Sequence, residues 1–200
     1  MTALTVLASL NHSSLLKAAA EPANRFLVPD DIMKRLTAAN DLQVTSLLQT
    51  ITEGNIVFSR KIGYDFATLS AAYASAGSQF YHSPLIIPKL ELLTRAIASQ
   101  QAEDGTVNIA NLESPPDTGF LVELLSAAAF ILIKDKSAEL QHTNTAIKNI
   151  LLKAGEGLRT GGVHTPNHRW VICAALARLH SLYPNKRYVD RIEEWLAEGI

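Results

Sequence analysis

Apolar residues recur at helical spacing along most of the chain. Phe66, Leu69 and Tyr73 fall at i, i+3 and i+7. Leu90, Leu93 and Ile97 share a second face, Leu140, Ile147 and Leu151 a third, and Tyr188, Ile192, Trp195 and Leu196 a fourth. Sustained alternation of period two is missing, and no Asn-Gly or Asp-Gly pair sits between β-branched runs. The spacing therefore predicts helices joined by short breaks. The least distinct lies between Thr5 and Ala20, with Pro22 and Pro29 marking the connection that follows. Later helices are expected to open at Asp30 or Asp31, Asp65, Pro84, Asp117, Ser137, Thr165-Pro166 and Pro184-Asn185. The Ser137 helix is expected to end in the glycines Gly155, Gly157, Gly161 and Gly162.

Two kinds of helix alternate. The segments after Asp117 and after Pro166 are apolar nearly all round, which predicts burial on most sides. The helices between and after them carry charged outer faces: Lys89, Glu91 and Arg95, then Lys148 and Lys153, then Arg187, Arg191, Glu193 and Glu194. Buried helices open at Asp65, Asp117 and Asn167, about fifty residues apart, the period of a two-helix repeat. The fold expected is all-α: antiparallel helix hairpins forming part of an α/α toroid, as one helical domain over residues 1–200. A plain helical bundle with evenly spaced loops is the alternative.

Composition narrows the function classes. The 200 residues carry 18 Lys and Arg against 19 Asp and Glu, a net charge of −1. This gives no support for nucleic acid or an anionic membrane as partner. With 48% hydrophobic residues the chain is expected to fold rather than remain disordered. The single cysteine, Cys173, excludes an internal disulfide and a cysteine-rich zinc site, and its apolar surroundings predict a small buried side chain. The longest apolar run, residues 120–133, is interrupted by Glu123 and Ser126 and is not expected to span a bilayer. The N-terminus lacks the basic residues of a signal peptide, so a cytoplasmic location is the default and secretion would need a truncated N-terminus. Asn11-His12-Ser13 matches a glycosylation sequon.

In a row of parallel buried helices, all N-termini face one mouth. The first carries Arg60, Lys61, Tyr64 and Asp65. The second carries Asn108, Asn111, Glu113 and Asp117. The third carries His164, Asn167, His168, Arg169 and Trp170. Helix N-termini add unpaired N–H groups and a partial positive charge. Amides, carboxylates, imidazoles, a guanidinium and an indole together fit a carbohydrate or acidic-sugar site. Within Gly161–Trp170, Gly-Gly permits close approach and Pro166 fixes the helix start, which places Asn167 and His168 in the first turn. An imidazole can remove a proton near neutral pH, and an adjacent amide can hydrogen-bond a carboxylate. β-Elimination on a uronic acid needs both functions, with donors that stabilise the developing enediolate. His164 and His168 lack a Glu between them in a metal-binding pattern, and no metal or cofactor is expected.

The paired helices and the Asn167-His168 pair resemble the toroid-fold polysaccharide lyases, the alginate lyase and heparinase II/III-like group. The resemblance spans residues 64–200 as architecture and about ten residues as motif. It implies that Asn167 neutralises the substrate carboxylate and that His168 is the base. His164, Arg169, Trp170, Asp117 and Tyr64 are expected to line the cleft. The implied partner is an acidic polysaccharide or oligosaccharide. The family's tyrosine and its following β-sandwich would lie past Ile200, so the chain is expected to be an N-terminal portion of a larger enzyme. Its open edge would then favour self-association. Two alternatives remain open: a glycoside hydrolase on the same ring using Glu113 or Asp117, and a non-catalytic helical-repeat interaction module.

Overall fold

A computed structural model describes residues 29–109 and 111–198. The predicted helix at Thr5–Ala20, the Asn11 sequon and the last two residues of the chain lie outside the described residues. By contact the chain divides into Met1–Lys34 and Arg35–Ile200. Of the first unit, Pro29–Lys34 is described, and all six residues are exposed. The second unit carries the helical rows and the candidate site.

Seven helices occur among the described residues: α1 Asp30–Thr50, α2 Lys61–Ala74, α3 Ile87–Ser99, α4 Pro115–Leu132, α5 Ala138–Thr160, α6 His168–Leu182 and α7 Lys186–Ala197. The all-α class read from the periodicity is observed. The only pairing of strand type among these residues is an isolated bridge between Gln101 and Val107.

The helices from α2 onward form two rows. α4 packs on both α2 and α6, while α5 packs on both α3 and α7. The hairpins α2–α3, α4–α5 and α6–α7 join the rows, and α5 also packs on α6. The core between them includes Phe66, Leu69, Leu90, Leu93, Ile97, Leu121, Leu125, Leu151 and Leu176, the faces that the helical spacing marks out. From α1, Val44 and Leu47 join the same cluster.

Local chemistry sets the helix ends. Ser114 caps α4 by accepting the Asp117 N–H, with Pro115 and Pro116 in the first turn, so α4 opens ahead of Asp117. α2 opens at Lys61 rather than Asp65, and Asp65 accepts the Lys61 ammonium one turn on, at 2.5 and 2.6 Å. α3 starts at Ile87, after turns through Pro84–Ile86. Regular α6 starts at His168, later than Thr165-Pro166. The preceding turn winds tightly, with His168, Arg169 and Trp170 N–H groups each bonding three residues back. Gly155 and Gly157 do not end α5, which runs to Thr160. They are places of close approach. A Cβ on Gly155 would lie 2.7 Å from the Tyr188 ring, and one on Gly157 would lie 3.0 Å from the Asp104 carbonyl.

Three expectations change. α4 is long and apolar enough to cross a bilayer by length and composition, contrary to the sequence reading, with a mean hydropathy of 1.3. It packs instead on three neighbouring helices, and 61% of its residues are buried within the fold. α6 is buried along Ile172, Ala175, Leu176 and Leu179, but Trp170, Ala174, Ala177 and Ser181 face outward. It is not buried on most sides, because α4, α5 and α7 cover only part of its circumference. Leu196, expected on the apolar face of α7, is half exposed, while Tyr188 and Trp195 are buried.

Candidate functional site

The N-terminal turns of α2, α4 and α6 draw together because small residues let them. A Cβ on Gly63 of α2 would lie 2.8 Å from Leu121 of α4, and one on Gly119 of α4 would lie 3.0 Å from Val171 of α6. Gly161, ahead of α6, sits against Pro115 in the same way. Side chains from three helix starts, distant in sequence, thereby become neighbours.

Asp117 joins the first two. It is 4% exposed. Its carboxylate accepts a hydrogen bond from the Arg60 guanidinium, which stands just before α2, and one from the Asn111 amide at 2.8 Å. Burial opposes the charge, but the bonds from Asn111, Arg60 and Ser114 outweigh it and hold the carboxyl below its ordinary value. The Arg60 guanidinium also lies 4.5 Å above the centre of the Phe120 ring.

Phe120 links this group to the third helix start. Its ring meets the His168 imidazole edge-on at 6.5 Å, and His168 meets His164 edge-on at 5.9 Å. His164 Nε2 lies 3.5 Å from the Ser114 hydroxyl. His168 is partly buried, and its Nδ1 is enclosed with no hydrogen-bond partner among the described residues. Asn167 is exposed, and its amide oxygen accepts the Thr165 hydroxyl at 2.5 Å.

The structure brings Asp117, His164 and His168 into one group, with Asn167 beside them in sequence. Tyr64 and Trp170 are exposed, 61% and 49% respectively, and make no ring contact with the group. Arg169 is engaged elsewhere: its guanidinium pairs with Glu198 at 3.0 Å and lies 5.5 Å from the Trp195 ring centre. Glu113 is exposed, has φ of 47°, and bonds through its backbone N–H to Asn108. Phe120 and Ser114 are the residues that sequence reasoning missed. A Ser-Pro-Pro start was the available signal for Ser114, and nothing in the sequence marks Phe120 apart from other core aromatics.

No family model, curated protein or solved structure matches the chain. The chemistry of the site therefore rests on its own geometry.

The opposite ends of α2 and α4 also carry polar and aromatic side chains. Tyr73 stacks on His82 at 5.1 Å, and His82 Nε2 lies 3.5 Å from Asp135. A recess of about 430 Å³ beside them is lined by Asp135, Ser137, Asn144, Lys148 and Tyr183. Among the described residues, no cluster of three His, Cys, Asp or Glu side chains is arranged to hold a metal ion.

At the shared end of α2, α4 and α6, the arrangement offers a guanidinium bonded to a buried carboxylate and, on the other side of the Phe120 ring, an imidazole, with the Asn167 amide next to it in sequence. Such a set can bind a carboxylate and move a proton next to it.

Proposed function

We propose that the chain is the substrate-facing arc of an α/α toroid polysaccharide lyase, which cleaves a uronate-containing glycan by β-elimination. The observation that carries the reading is the run of contacts from Asp117 to Arg60, Phe120, His168 and His164, at the shared end of α2, α4 and α6. The Asn167 NH2 group donates to the substrate carboxylate. His168 takes the proton α to that carboxylate. The electron pair forms an enediolate, then the new double bond, as the β carbon–oxygen bond breaks and the leaving oxygen takes a proton from water.

The buried, partnerless Nδ1 of His168 favours the reading, because unsatisfied polar atoms in a core are uncommon and accumulate at reactive sites. Paired-carboxylate hydrolysis fits less well. Asp117 is held ionised, which excludes it as the proton donor, and it is enclosed and paired with Arg60, which keeps it from reaching a water or sugar as the base.

The test incubates the chain with alginate, heparin, chondroitin and pectate oligosaccharides. Binding is followed at the His168 imidazole by NMR, and unsaturated uronate by ultraviolet absorbance. The expected result is a shifted His168 resonance with at least one uronate series, and loss of the unsaturated product in His168→Ala. New reducing ends without unsaturation, or an unmoved His168 resonance with every glycan, would overturn it.

A further inference from the structure

Resting on the uronate reading above, we propose that Arg60 is the residue that selects a carboxylate on the ligand, held in position by Asp117 and Phe120. Three observations converge on it. First, the Arg60–Asp117 pair is lopsided. The carboxylate side chain is 6% exposed, whereas the guanidinium side chain is 46% exposed. The anion faces the core and the cation faces the mouth, so the pair presents donors to solvent. Second, two supports on α4 orient the guanidinium: its NH2 group is bonded to Asp117, and its face rests on the Phe120 ring. The planar fork of an arginine matches a carboxylate through two parallel hydrogen bonds, and one held in place beforehand loses less freedom on binding. Third, the same Phe120 ring meets His168 edge-on, so guanidinium and imidazole flank one platform.

Other cations near these helix starts are ion-paired, as Arg60 is; what distinguishes Arg60 is its place on the Phe120 ring that His168 also meets. Lys61 is held by both oxygens of Asp65, and Arg169 by Glu198. Asn167 can donate a hydrogen bond to a carboxylate but brings no charge. Arg60 supplies that charge and so separates acidic sugars from neutral ones of the same shape.

A purely architectural Arg60, tying α2 to α4, would affect stability without affecting this choice. The experiment therefore reads selectivity. The chain is titrated by calorimetry with a uronate trisaccharide and with its carboxyl-reduced, neutral counterpart, and circular dichroism confirms that each variant is folded. Wild type is expected to favour the uronate by roughly tenfold or more, the worth of one charge-assisted bond. Arg60→Gln should bind both sugars alike. Arg60→Lys, which keeps the charge and loses the fork, should keep part of the preference and serves as the folded control if Arg60→Gln does not fold. An undiminished uronate preference in Arg60→Gln, or in Arg60→Lys an affinity ratio equal to wild type, overturns the assignment while leaving the lyase reading intact. Wild type that binds neither sugar overturns both.

Discussion

Asp117→Asn tests the node on which the site is built. The substitution keeps the shape of a side chain that is nearly enclosed and removes its charge. Asn111 can still donate to the amide oxygen, so the principal loss is the charge-assisted bond from Arg60. Such bonds contribute about 1.5–3 kcal/mol when buried, and the half-exposed Arg60 recovers water when released, which lowers the expected cost to about 1–2 kcal/mol. For a chain of this size that is a fall in Tm of about 2–8 °C. The sign of the pH dependence follows from the lowered carboxyl value. The stabilisation is fully present above the unfolded carboxylate pKa, about 3.9, and is lost as pH falls through the lower folded value. Urea unfolding followed by circular dichroism at neutral pH should show a lower midpoint for the variant with an unchanged slope. In acid, below the carboxylate range, the two proteins should converge. Equal midpoints at neutral pH, or a gap that stays the same in acid, would refute the reasoning.

Two further outcomes follow from packing. Gly155→Ala replaces a mid-helix glycine, a change that raises helix propensity by about 1 kcal/mol, yet its Cβ would press on the buried Tyr188 ring. The clash should win, with a net loss of about 1–3 kcal/mol by thermal melting, and a stabilised variant would show that Tyr188 moves aside freely. Cys173 is 7% exposed, and burial raises its thiol above the ordinary value while Arg191 pulls it down. Ellman's reagent should modify it only as fast as the fold opens, and prompt labelling in native buffer would contradict the burial.

Much of the fold is legible in the sequence because helical spacing and repeat length are local or periodic quantities. The faces marked by Leu90, Leu93 and Ile97, and by Leu140, Ile147 and Leu151, are buried as read. Helix starts are less legible, since they depend on competition among nearby caps. Ser114 with two prolines precedes Asp117, and a tight turn delays α6 to His168. The candidate site is legible as three sets of helix starts but not as a set of contacts. That Arg60 would find Asp117, and that Phe120 would stand between Arg60 and His168, depends on how closely the helices approach. That approach is set by Gly63, Gly119 and Gly161, whose spacing in sequence carries no distance. The outward turn of Arg169 toward Glu198 depends on the position of α7 and could not be read from the Asn167-His168-Arg169 run.

The pattern of helix contacts has a consequence for how the chain distributes its energy. Substantial packing joins only helices that are adjacent or next but one in sequence. Stability then behaves as in a linear array, as a sum over units and the couplings between neighbours, and a disturbance fades with each unit it must cross. Loosening α7 acts directly on α5 and α6 and reaches α2 only through the units between. The Arg60–Asp117 bond spans 57 residues of chain yet only one step of the array. The Arg60–Asp117 pair at the start of α2 and α4 is therefore a step removed from events at α7, whereas His168, on α6, is exposed to them directly.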